Sequence, residues 1–569
     1  MEKRVQSNGL DHVNSHGLLP LDGAFLDGLH PLSGRKTLDK VLNHPDPPRL
    51  IKSMSSEDFL WLVKKVGVDE SLELLEMASL DQWQYILDVE SWQKDRLELN
   101  RTDQWMMRLT MADPRRLVEW LYSDGQALAY YYLYRSIVVE VMEGNDLYDI
   151  APGFFTIDGL FYIRAMREDQ RETIEKLLRT MADTDLLKYH SLLTGMAGVL
   201  PAEFEEGMYR MRNIRLAEHG FLPRDEAMVV YAPLKPESLK TDDENASDRP
   251  VPHAEDAELV PRWPLQYIQG QNLLTRTISN LSDTKLMDRI RLEFSGLCNQ
   301  IVSAEGLVDR DVDDLQEIRL QAVGYLNLIL KERCHEDIGI AEKLLRKNTL
   351  LSLFRAGFGL ALNLKWKAER WLKTCWFHEA GLESSFWGQE WGGTLEGLLK
   401  GRPRFYCGSG SENGFRHFQS LSDLSSAAAI LLHLDCLDGL LAQLTTQHPL
   451  GVPDSEPFDL TFYPLLFTLW ARQLLDMRPG FDAISLKQAR AFFRLLRAGD
   501  TSPPYRMFGF EERFLKAFDA PAPGPADDAS KNLKDALSLV WRDFSDEMER
   551  VPTDAVAAKY SKYIMIAPS

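Results

Sequence analysis

Apolar residues recur every three to four positions over most of this chain, the spacing that lines one face of an α-helix. The pattern predicts helices over Thr284–Glu305, Asp313–Lys331, Gly339–Cys375, Leu421–Gln443, Phe462–Met477 and Asn532–Val551, with another opened by Pro201 in its first turn. Three segments in the first half echo one another: SSEDFLWLV from Ser55, SLDQWQYIL from Ser79 and RTDQWMMRL from Arg101. Each sets Ser or Thr, then Asp, ahead of a large apolar residue. The hydroxyl caps a helix start, and the carboxylate favours its positive end. A recurrence of about 22–23 residues fits one helix plus a turn, and predicts a solenoid-like stack. Three unrelated capped helices would look the same.

The period changes once. Phe154–Ile157 and Leu160–Ile163 flank Asp158-Gly159, the sequence of a two-residue type I′ hairpin. Residues 1–45 show no sustained period and read as an irregular leader. Residues 232–264 are acidic and Pro-rich and read as a linker, as does the Pro/Ala stretch 519–530. The expected architecture is mainly α and multi-helical. Its parts are a solenoid-like first lobe (46–231) with one small β-hairpin, a second helical-bundle lobe (265–500), and a closing segment (501–569) with a C-terminal helix.

Composition changes this picture little, and charge somewhat more. Of 569 residues, 44% are hydrophobic and 26% charged, enough to bury a sizeable core. The net charge of −20 repels phosphate backbones, so no nucleic-acid partner is expected. Five cysteines, an odd number at wide spacing, read as reduced thiols. The N-terminal stretch has no apolar signal segment, and the longest apolar runs, such as Ala427–Leu434, fall short of a bilayer. A cytoplasmic protein without a membrane span is the expectation.

Candidate chemistry is thin. Cys375-x-x-His378 and His433-x-x-Cys436 are mirror images, and on helices each pair shares a face. Together they would make a Cys2His2 zinc set, provided the helices meet. Packing as small apolar residues is the competing reading. Around the Gly-rich turn Cys407-Gly408-Ser409-Gly410, Arg402, Arg404 and Arg416 could hold an anion beside Trp387 and Trp391. A surface loop with turn glycines is the alternative. The run Tyr130-Tyr131-Tyr132-Leu133-Tyr134 must place at least one ring at an interface with its hydroxyl paired. HExxH, GxSxG, P-loop, EF-hand and CxxC patterns are absent, which leans away from an enzyme.

Four phrases occur together: YRMRNIRLAEHGFLPRDEAMVVY (209–231), LFRAGFGLAL (353–362), FWGQEWGGTLEGLLKGRPRFY (386–406) and PTDAVAAKYSKY (552–563). With them the chain resembles a bacterial domain-of-unknown-function family, DUF6178, that covers nearly the full length. The resemblance implies a bacterial cytosolic protein and brings no catalytic residues. Residues 46–145 also resemble, in their short capped helices, the cytosolic superhelical domain of bacterial magnesium transporters. The leading expectation is a non-enzymatic interaction or scaffold protein with protein partners. A metal- or small-ligand site within residues 375–436 is the alternative.

Overall fold

Helices in this chain start where a short polar side chain meets the first free N–H groups. The computed structural model describes residues 25–567, apart from positions 27, 30 and 94 and the stretches 142–151, 197–200, 241–259, 262–264, 266–271, 307–311, 409–413, 450–459, 498–501, 519–525 and 557–561. Helix dominates these residues. They form two compact units, Met1–Arg355 and Ala356–Ser569, and the boundary falls inside the helix Leu350–Leu372. Most of the acidic stretch expected as a linker, 241–259 and 262–264, lies outside the described residues, as does 519–525.

Unit 1 opens with α1 (Gly34–Leu42), α2 (Pro47–Lys52), α3 (Ser56–Val66), α4 (Leu72–Met77) and α5 (Leu80–Glu90). A tight hairpin follows, β1 (Trp92–Gln93) with β2 (Arg96–Leu97), then α6 (Leu99–Ala112), α7 (Pro114–Leu121) and α8 (Gln126–Ser136). Helix α3 packs on α5, and α4 on α6. Ser55 accepts from Asp58 N–H at 3.1 Å, and Ser79 forms a full capping box with Gln82. The third echo is different. Glu98 caps α6 by accepting from Arg101 N–H at 2.7 Å, so RTDQW lies inside the helix. There the Thr102 hydroxyl bonds back to Glu98 O at 2.8 Å, the other use of a helical Thr.

The hairpin forms where expected but is built differently. Strands β3 (Ile137–Val141), β4 (Phe155–Thr156) and β5 (Phe161–Ala165) make an antiparallel sheet in the order β3-β5-β4. At the bend only Gly159 has positive φ, 75°. Asp158 instead accepts from the N–H groups of Leu160 and Phe161 at 2.9 and 3.0 Å, so a wider Asx-type loop replaces the type I′ turn. The β-branched run after the tyrosines, Ile137-Val138-Val139, is the unforeseen third strand.

Helices α9 (Arg171–Thr184), α10 (Leu186–Gly195) and α11 (Pro201–Glu218) follow, and α11 packs on α8. Three polar ties hold α11 to α3 and α5. Arg215 grips Asp88 with two bonds of 2.6 and 2.8 Å, Arg212 reaches Asp88 O at 2.6 Å, and His219 Nδ1 lies 2.7 Å from Glu57. Helices α12 (Leu273–Ser279), α13 (Thr284–Glu305), α14 (Val312–Cys334) and α15 (Ile338–Lys347) complete the unit.

Helix ends follow a different rule from helix starts. Arg116 on α7 donates to Leu75 O, Glu76 O and Ala78 O at the end of α4, with its guanidinium 4.0 Å over the Trp83 ring. Arg289 on α13, 7% exposed, donates to Leu345 O and Arg346 O at the end of α15. Each cation meets the negative end of a helix dipole and the carbonyls left without an intrahelical partner.

Unit 2 continues from the boundary helix α16 (Leu350–Leu372) through α17 (Trp376–Glu379), α18 (Gly388–Leu399), β6 (Phe405–Tyr406), β7 (Phe415–Arg416) and α19 (Leu421–Gln447). Helices α20 (Phe462–Leu474), α21 (Leu486–Leu496), α22 (Phe510–Ala517) and α23 (Ala526–Met548) follow. Their core is aromatic: Phe467 stacks on Phe544 at 4.2 Å and on Phe514 at 4.9 Å, with Trp470 and Trp541 edge-on to each other. Residues 563–567 are stitched into it. Tyr563 and Ile564 are buried, Met565 N–H donates to Thr468 at 2.9 Å, and Ile484 pairs in parallel with Ile566. Remote caps recur here. Lys365 donates to Leu399 O and Lys400 O at the end of α18, and the 4%-exposed Arg497 to Met548 O at 2.6 Å, at the end of α23.

Helix α19 is longer than its apolar segment Ala427–Leu434 suggested. Its 27 residues are long and apolar enough to cross a membrane by length and composition, alone in this among the described residues. Its buried face, with Leu431, Leu434, Leu437 and Leu441, belongs to the core of unit 2, and its Asp423 and Asp438 are both hydrogen-bonded within the unit.

Arg497→Met should lower stability by about 2–4 kcal/mol, because two bonds from a charged donor are lost, and Arg497→Lys should restore part of it. A urea midpoint that barely moves would refute the capping role. Burial alone would lower the His219 pKa, but Glu57 outweighs it and the net shift is upward. The pair therefore stabilises fully below the unfolded value of about 6.5, and loses that contribution as pH rises through the folded value. The stability gap between the protein and His219→Gln should be larger at pH 5.5 than at pH 8.5. An equal gap at both would count against the pair.

Candidate functional site

The two Cys/His helices do meet, through a group the motif does not contain. Asp438 on α19 accepts from Trp376 N–H and Phe377 N–H at 2.9 and 2.8 Å, capping α17 from 62 and 61 residues away. Cys375 is buried and donates to Leu372 O at 3.5 Å. His378 is exposed, and the His433 ring lies 5.7 Å from Trp391. Cys436 is half-buried. Burial pushes both thiols up and His433 down. Among the described residues no three His, Cys, Asp or Glu side chains gather where they could hold a metal, so the four are not brought together.

The Gly-rich region is mostly a helix. Gly392 and Gly397 look like turn residues in sequence but lie within α18, where they let other backbone approach. A Cβ on Gly392 would sit 2.2 Å from Ser384 O, and one on Gly397 2.5 Å from Arg404 O. Trp387 and Trp391, expected beside an anion, are 1% and 5% exposed and pack against Phe462 at 5.6 Å each. Arg416 is engaged by Asp423 through bonds of 2.7 and 2.9 Å, with its guanidinium 4.6 Å over Phe405. That carboxylate also raises the Arg416 pKa. Arg402 and Arg404 flank the 5%-exposed His417, whose pKa falls well below normal through burial and those two charges. Of the turn itself, Ser409 and Gly410 lie outside the described residues.

The structure also forms a site that no motif marks. A cleft of about 390 Å³ opens in unit 1 between the β1–β2 hairpin, the first turn of α6, the α8–β3 junction and residues 167–170. One wall is spent on internal bonds. Arg167 pairs with Asp169 at 2.5 Å and donates to Asn100 at 2.7 Å. Gln170 donates to Asp103, whose carboxyl is raised by burial, with the buried Tyr132 hydroxyl and Arg167 opposing that rise. Asp103 Oδ1 is left buried with no hydrogen-bond partner among the described residues.

The other wall is unspent. Glu205 on α11 is committed below it, accepting from Leu97 N–H at 2.9 Å and from the Tyr131 hydroxyl at 3.2 Å. Arg96 and Arg135 lie beside that tyrosine, are exposed, and line the cleft. Among the described residues neither has a hydrogen bond or an ion pair. The tyrosine run was the one sequence signal for this place, since Tyr131 and Tyr132 are its interface rings. The arginines, spaced 39 positions apart, gave none.

Gly392→Ala should destabilise unit 2 by about 1–3 kcal/mol, because backbone, not a movable side chain, meets the new methyl. The same change at Gly401, whose Cβ position is open, should be nearly neutral. Equal effects at the two sites would contradict the close approach.

No curated protein and no solved structure matches the chain, so the likeness of residues 46–145 to magnesium transporters gains no support. One family model matches residues 19–567, nearly everything described above, and the chain belongs to that family, the family of unknown function DUF6178.

Proposed function

We propose that the protein binds a small anionic ligand in the cleft of unit 1. The observation that carries this is the pair Arg96 and Arg135, two guanidinium forks without partners at the mouth of a 390 Å³ space. Guanidinium groups match carboxylate and phosphate oxygens two at a time, and the volume falls in the range of about 300–1,000 Å³ of small-molecule sites. The buried Arg289 and Arg497 are consumed in capping helix ends, whereas Arg96 and Arg135 leave their guanidinium groups facing the same cleft. The first turn of α6 adds its positive dipole end at Leu99 and Asn100.

We advance ligand binding over a protein scaffold because stacked helices alone specify no occupant. Five cysteines outside any disulfide support placing it in a reducing, cytoplasmic setting.

The test is calorimetric titration of the full chain with a panel of small carboxylates and phosphate esters. At least one should bind saturably with 1:1 stoichiometry. Arg96→Ala and Arg135→Ala should each weaken it at least about tenfold, or about 1.4 kcal/mol. Binding that survives the double substitution, or no binding across the panel, would dismiss the reading.

A further inference from the structure

The cleft has two chemically different ends, and each asks for something of its occupant. Arg96 and Arg135 offer charge and donors. The opposite end offers leftover halves of amide and carboxyl groups. Asn100 has used its amide oxygen on Arg167, which leaves its N–H donors. Gln170 has used its amide nitrogen on Asp103, which leaves its oxygen. Asp103 lies behind them, its Oδ1 buried and its carboxyl turned to Gln170 and the Tyr132 hydroxyl. Donors and acceptors thus alternate along one wall. That suits hydroxyl groups, since each both gives and takes a hydrogen bond. The apolar lining consists of Leu97 and Leu99, with no aromatic ring for a nucleobase or other flat ligand to stack on.

We infer that the ligand is a hydroxylated anion of about hexose size, with its carboxylate or phosphate on Arg96 and Arg135 and its hydroxyls on Asn100 and Gln170. This rests on the ligand-binding reading above and narrows it. A carboxylate and a phosphate monoester present the same oxygens to two guanidinium groups, so the chemistry is shared by sugar acids and sugar phosphates. The hydroxyl end adds specificity, because an occupant without hydroxyls leaves those polar groups to water or unpaired.

Titration of the full chain with gluconate, glucose 6-phosphate, acetate, inorganic phosphate and glucose separates the possibilities. Gluconate or glucose 6-phosphate should bind at least about tenfold tighter than acetate, phosphate and glucose alike. Whichever of the two wins names the head group. Arg135→Ala should bring the winner down to the level of glucose. Asn100→Ala, an exposed first-turn change, should remove most of the advantage over acetate or phosphate while leaving those two anions unchanged. Acetate or phosphate binding as tightly as the hydroxylated anions, with the arginine dependence intact, would overturn the hydroxyl end alone. Asn100→Ala weakening every anion equally would do the same. Failure of all five probes to bind would take the cleft reading with it.

Discussion

An α-helix leaves its last carbonyls without donors, and a protein made of many short helices must settle that debt many times over. At four of its helices this chain settles it with long cations sent from elsewhere. Arg116 closes α4, Arg289 closes α15, Lys365 closes α18 and Arg497 closes α23. Each contact satisfies orphan carbonyls, meets the negative end of a dipole and ties two helices together at a defined angle. Arg116 and Arg497 also lie over aromatic rings, which helps keep their methylene stems and charge inside the fold. Sealed by such a contact, the six-residue α4 of unit 1 holds its place.

That device explains which parts of the fold were legible beforehand. Many helix starts are local, with the cap within three residues of the N–H it serves, although α17 is capped by the remote Asp438. Ser55, Ser79 and the Asp185 of Asp183-Thr184-Asp185 could therefore be read directly. Helix ends closed from 34 to 57 residues away leave no local trace. The periodic stretch Gly339–Cys375 shows the result: it is two helices, broken at Asn348, whose side chain bonds Lys240. Glycine is hard to read for a related reason. In α18 it marks where other backbone comes close, and composition alone cannot distinguish that from a turn.

The functional region was the least legible part. The residues singled out between 375 and 418 are rich in chemistry by type but are mostly engaged: Arg416 by Asp423, the tryptophans by Phe462, Cys375 by a backbone carbonyl. The cleft in unit 1 is drawn from four separate segments, and none carries a recognisable spacing. What distinguishes it is an arrangement visible only in three dimensions, two arginines without partners brought to one cleft from segments 39 residues apart. Function here is legible as what the fold has not consumed.

The stitched segment 563–567 has a consequence for how the molecule comes into being. Tyr563 and Ile564 fill the aromatic interior of unit 2, and Met565 reaches back to Thr468, 97 residues earlier. A ribosome delivers these residues well after the helices they hold. While synthesis runs through α20–α23, the nascent chain presents an unsealed aromatic cavity, a natural substrate for chaperones that shield greasy surface. Unit 1 waits too, since α3 and α5 are tied to residues of α11 and His219 that emerge 127 and 162 residues later, but its residues emerge first.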